Sequence, residues 1–358
     1  MRSGRLIGGA LLAVALLLPG TGASGQILDR LPADVLDVTP PSARASGPLA
    51  EMRAVALECR ATPGTDLRRR IVETAIQEWA FFGFPVLDRL NGARLLAGAP
   101  LRAGRVAFEY TTRRAPTPNA REGERVAATI AGYWAVTPEG PGIVREQARR
   151  WSDQGAATRW NAPWSAAFIS WVMCEAGLGT RDQFQRAIAH WTYVDQAIRA
   201  RDSGAETAGY LAYDIGETVV EPGDLLCSGR RPRYANLAAR RSQMGEGASS
   251  HCDIVVEADE AEGRILAIGG NVLRSVSLKV LGAESAPDGG LLARSTDGAP
   301  LYAHLKLRAE SIGNRGLSES GVLAAVAAEA DGVAPARAAA VLQALRVQGE
   351  WMQEPARH

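Results

Sequence analysis

The chain predicts an α+β fold, with helices first and an antiparallel sheet after them. Before residue 215, apolar residues recur at helical spacing, as at Ile71, Ala75, Trp79 and Phe82. Beyond residue 215 the period changes to alternation, in short runs bounded by Gly, Pro and Asp. Helices grouped ahead of strands, rather than interleaved with them, give an α+β order and not a parallel α/β one.

The elements follow in chain order. Arg2 and Arg5 precede the apolar run 6–18, and Gly22, Ala23, Ser24 and Gly25 offer a cleavage site, so residues 1–25 read as a secretory signal peptide. The run is shorter than the roughly 18 apolar residues of a spanning helix, so no stable membrane span is expected after cleavage. The expected location is periplasmic or secreted. Residues 26–64, rich at first in Pro, Ser, Ala and Asp, read as a linker. Helices are expected over 66–82, 122–134, 142–151 and 182–199, with a short strand at 105–111. The strongest helix is 161–176: Asn161 can cap it, Pro163 suits its first turn, Gly177 stops it, and its apolar surface nearly all round requires burial. Strands are expected at 225–227, 251–257, 264–268, 275–281 and 301–307. Residues 311–358 read as a helical C-terminal extension, with a helix at 335–352.

Composition narrows the function. A formal charge of +1 argues against nucleic acid or a strongly anionic membrane as main partner. Four cysteines (Cys59, Cys174, Cys227, Cys252) are too few for a disulfide scaffold and contain no CxxC pair, so no metal or cofactor is expected. One or two bridges suit an oxidising compartment.

Ser165 falls in the first turn of the buried helix, where free backbone N–H groups and the positive dipole end favour an oxyanion. The plainer alternative is a small polar residue tolerated at a helix start. Of four histidines, His358 is terminal, His304 alternates with apolar residues in a way that points it away from the core, and His190 reads as a core or cleft-wall residue beside Trp191. His251, opening a strand, is the best-placed base. Asn271, in Gly269-Gly270-Asn271, puts a carboxamide at a turn. Between Cys227 and Cys252, five arginines (230, 231, 233, 240, 241) face one acid, Glu246; this is a solvated loop or a site for anions.

PWSAAFISWVMCEAG (163–177), PGDLLC (222–227), SHCDIVVE (250–257) and IGGN (268–271) together resemble the NlpC/P60-like papain-fold peptidases and amidases over roughly residues 65–310, and more narrowly the bacterial DUF2272 group. The resemblance implies a papain-like core with N-terminal helices packed on the sheet. It assigns Ser165 as nucleophile, His251 as base and Asn271 as the group orienting the imidazole, with Trp164 and His190 on the substrate side. It implies peptidoglycan or a peptide as substrate. It also places Cys227 and Cys252 on neighbouring strands, as a disulfide or as buried thiols. Ser stands where the family nucleophile is Cys. A thiolate forms readily at neutral pH and a serine alkoxide does not, so the site is either rebuilt as a Ser–His–Asn hydrolase or binds without cleaving.

Overall fold

The computed structural model describes residues 29–32, 35–90, 94–95 and 120–328. The signal peptide read at 1–25, the strand at 105–111 and the helix at 335–352 lie outside them. Two short extended pieces, β1 (Ala45–Ser46) and β2 (Arg53–Ala54), pair with each other, and α1 (Leu67–Phe81) follows. Next come β3 (Val86–Asp88), β4 (Arg94–Leu95), α2 (Ala120–Ala135), α3 (Gly140–Gln154), α4 (Ser165–Ala176) and α5 (His190–Ser203). The second half holds β5 (Tyr210–Tyr213), β6 (Leu225–Arg231), α6 (Leu237–Arg241), β7 (Ser249–Asp259), β8 (Arg264–Val272) and β9 (Ser275–Ser285). It closes with β10 (Leu291–Ala293), β11 (Leu301–Leu307) and α7 (Gly321–Ala328).

The class is α+β. One sheet runs β4-β3-β9-β8-β7-β6-β11-β5, with β10 added on β9. It is mixed rather than purely antiparallel, because β3 lies parallel to β9. Both faces are covered. Cys227, Cys252, Ile254, Ile268 and Leu278 pack under the helices on one face, while Leu226, Val255, Ile265, Ala267 and Leu281 pack with Leu291 and Leu301 on the other. This second core reverses the expectation for His304. Its side chain is fully buried, with Nε2 2.8 Å from Asp224 Oδ2, because the face it points to is covered.

α4 begins at Ser165, not at Asn161, and Trp164 precedes it without a side-chain cap. The Asn161 backbone N–H is instead taken by Gln147 Oε1 at 3.1 Å. All α4 residues after Ser165 are buried, as an apolar surface all round requires. α5 starts at His190 rather than 182, because 182–189 form a loop pinned by Ser170 Oγ to Ala187 and by Gln196 Oε1 to the Gln185 N–H.

The described part of 26–64 is packed rather than a free linker. Leu31, Leu36, Val38 and Met52 are buried, Arg44 meets Glu175 at 2.7 Å, and Cys59 is bonded to Cys174. Its apolar residues follow no period, so nothing local marks it as part of the core. Leu317, Val322, Leu323 and Val326, at the start of the predicted extension, also join the main core.

Candidate functional site

Ser165 is partly exposed at the first position of α4, and its Oγ lies 2.6 Å from Nε2 of His190, the first residue of α5. The serine's imidazole partner is therefore His190 and not His251, which the sequence favours. Both rings are buried, and their centroids are 5.2 Å apart.

The other ring nitrogen of His190 decides its chemistry. The β7–β8 ladder stops at Ile254 and Ile268, so the backbone N–H of Cys252 is not used by β8. That N–H points at His190 Nδ1, 3.2 Å away, and the Tyr193 hydroxyl meets the same nitrogen. A hydroxyl can turn to donate or accept, whereas a backbone N–H only donates. The Cys252 contact favours the tautomer with a bare Nδ1. In that tautomer the proton of the neutral ring sits on Nε2 and is donated to Ser165 Oγ. Burial first, then the neighbouring His251, holds His190 well below its ordinary pKa, with Asp253 opposing, so the ring is neutral near pH 7.

His251 has a different partner. Its Nε2 lies 2.9 Å from Asp253 Oδ1, and Lys279 Nζ is 2.8 Å from Asp253 Oδ2. Burial and the Lys279 charge bring His251 down to about 4, against the pull of Asp253. Burial pushes the Asp253 carboxyl up, but Lys279 and His251 outweigh it and hold the group ionised.

The two glycines before Asn271 serve opposite faces. A Cβ on Gly269 would come within 1.9 Å of Asp253 Oδ1, so the bare backbone leaves room for that carboxylate to cross β8 toward Lys279 on β9. A Cβ on Gly270 would meet Phe168 Cβ at 2.5 Å, so this glycine lets α4 approach the sheet. Asn271 itself has φ 55, and a left-handed backbone is one that Asn tolerates. Among the described residues no hydrogen bond joins Asn271 to His251 or His190; the orienting roles fall to Asp253 for His251 and to Cys252 and Tyr193 for His190.

Trp164 is buried, stacked between Phe82 and Tyr133 at centroid distances of 5.9 and 5.7 Å, so it packs the base of α4 rather than lining an open surface. Cys227 and Cys252, directly opposite on β6 and β7, form a disulfide. Tyr193, Asp253 and Lys279 were not singled out by sequence. Asp253 had a usable signal, since residues i and i+2 of a strand share a face.

Searches of curated proteins and of solved structures return no match. Residues 125–299 match the model of a family described as an uncharacterized protein conserved in bacteria (DUF2272). That stretch contains Ser165, His190, His251 and Asn271, so the site-bearing part of the chain is the part similar to this bacterial family.

Proposed function

We propose that the protein is an exported, papain-like module that binds peptide or amide groups of the cell wall at Ser165 and does not hydrolyse them. The likeness of the PWSAAFISW and HCDIVV…IGGN segments to NlpC/P60-like proteins supports the substrate class. Two disulfides and the basic, then apolar, start of the chain support an oxidising compartment.

The observation that carries the reading is the Cys252 N–H directed at His190 Nδ1. A serine nucleophile needs an imidazole with a bare Nε2 facing it and an acceptor holding Nδ1–H. Here the tautomer is reversed. Taking up the serine proton would set Nδ1–H against a backbone donor, and burial already makes this ring a weak base. The arrangement suits recognition instead. Ser165 Oγ accepts from His190 and turns its own O–H outward, beside the first-turn N–H groups of α4, which have no acceptor within their own helix. A ligand carbonyl can accept from both. The hydrolase reading keeps one observation in its favour, the 2.6 Å Ser165–His190 contact.

The test is incubation of purified protein with peptidoglycan fragments, reading cleavage by mass spectrometry and binding by calorimetry. Wild type is expected to bind without cleaving, and Ser165→Ala to weaken binding by roughly three- to tenfold, the worth of one hydrogen bond. Cleavage by wild type that disappears in Ser165→Ala and His190→Ala would overturn the proposal, as would absence of binding.

A further inference from the structure

Packing of the N-terminal segment against α3 leaves a cavity that Ser165 does not share. Residues 45–54 fold back on themselves, with Arg53 of β2 opposite Ser46 of β1 and the Glu51 N–H bonded to Pro48 O at 2.9 Å. The segment sits tightly on the helices: a Cβ on Gly132 of α2 would come within 1.8 Å of Pro41 O. Between the segment and α3 lies a cavity of about 330 Å³, lined by Glu51, Met52, Arg53, Arg145, Ala148 and Arg149. Met52 and Ala148 are buried, whereas the three arginines are exposed, so the cavity has an apolar base and a basic mouth.

The arginines are not neutralised where they stand. Arg145 and Arg149 lie one turn apart on α3 and so share a face. Like charges at that spacing repel, and Arg53, from the other wall, adds a third. Glu51 does not cancel them: among the described residues it forms no ion pair, and neither do Arg53 and Arg145. Arg149 has only Glu146, 3.3 Å away on the same helix, and both side chains are largely exposed, a pair worth little. The chain as a whole carries a formal charge of +1, so three arginines around one cavity are a local excess and not general basicity.

We propose that this cavity binds a phosphate group, free or as a monoester, held by Arg53, Arg145 and Arg149. A guanidinium donates two parallel hydrogen bonds to a pair of oxyanion oxygens. Donors approaching from two walls require oxygens on more than one side, which a tetrahedral phosphate presents and a planar carboxylate does not. Phosphate also brings nearly two negative charges to the three positive ones. The volume lies at the lower end of the roughly 300–1,000 Å³ of small-molecule sites, leaving room for part of an ester beside the phosphate. The site does not depend on the peptide reading of Ser165.

The experiment follows Tm and calorimetric binding of the full chain with inorganic phosphate and with glycerol 3-phosphate, against chloride and acetate at matched ionic strength. Wild type is expected to be stabilised by both phosphates and by neither control. Arg53→Gln and Arg145→Gln are each expected to weaken binding by at least about tenfold, the worth of a hydrogen bond to a charged group. Adding Arg149→Gln to those two is expected to abolish the shift. Arg199→Gln, which removes an exposed arginine of α5 outside the cavity, is expected to bind as wild type does. The Tm of each single variant in chloride establishes that folding is intact. Tighter binding of glycerol 3-phosphate than of phosphate would assign the site to an ester, and equal or weaker binding to free phosphate; either upholds it. No shift beyond chloride, an equal shift with acetate, or a phosphate shift that survives the triple variant would overturn it, as would equal weakening by Arg199→Gln.

Discussion

At the scale of single residues, the buried histidines set how the protein responds to acid. His251 sits at about 4 in the folded chain, against an ordinary value of 6.5, because burial and Lys279 oppose its charge. The unfolded chain takes up a proton at His251 as pH falls through 6.5, while the folded chain refuses it until about 4. The stability from this group is therefore complete above 6.5 and lost progressively down to about 4, roughly 3 kcal/mol for a single site. His190, depressed in the same direction, adds to the loss. Urea unfolding at pH 7 and pH 4 checks this. His251→Gln is expected to lose roughly 3 kcal/mol less than wild type over that interval, and equal losses would contradict it. Glycine roles belong to this scale too. Gly269-Gly270 reads as a turn in sequence, yet both lie on β8, one clearing Asp253 and the other Phe168. Only the packing of both faces discloses that.

Among elements, α6 is the clearest case of sequence concealing structure. Its arginines look alike as part of a basic surface loop. In the fold, Arg240 is buried, with Nε and Nη2 each 2.7 Å from the Asp195 carboxylate of α5 and Nη1 bonded to Tyr234. Arg241, one residue on, is a half-exposed partner of Asp202. Removing Arg240 leaves a buried carboxylate uncompensated, so Arg240→Ala is expected to cost about 3–5 kcal/mol in urea unfolding. Arg241→Ala is expected to cost less than about 1 kcal/mol. Similar values for the two would refute the distinction. By contrast, α1 to α4 and the strands β6, β7, β8, β9 and β11 were legible, because periodic apolar runs leave few alternatives. β5 and β10, of four and three residues, are too short for a periodic signal to mark them.

For the whole molecule, the α+β order is written in the change from helical to alternating period, whereas the joining of distant segments is not. Arg68 of α1 reaches Asp224 at 2.9 Å and the carbonyls of Pro222 and Leu307, linking the first helix to the β6 turn and the end of β11. Asp224 also accepts from the Leu307 N–H. Burial raises its carboxyl, but His304, Lys306 and Arg68 outweigh this and bring it down to about 2. Cys59–Cys174 fastens the N-terminal segment to the buried α4, and Cys227–Cys252 ties the two strands next to the site. The candidate site was half legible for the same reason. Ser165 stands at a recognisable helix start, but its partner is chosen by which ring reaches the Cys252 N–H that β8 does not use where the β7–β8 ladder ends. No local pattern encodes that meeting of α4, α5 and β7.

Imidazole nitrogen NMR at pH 7, assigned to His190 by comparison with His190→Gln, reads the decisive proton directly. The expected spectrum has the proton on Nε2 and a bare, hydrogen-bonded Nδ1, unchanged in tautomer when Ser165 is replaced by Ala. A protonated Nδ1 with a bare Nε2 facing Ser165 would contradict it, and would make the pair a general base and its nucleophile.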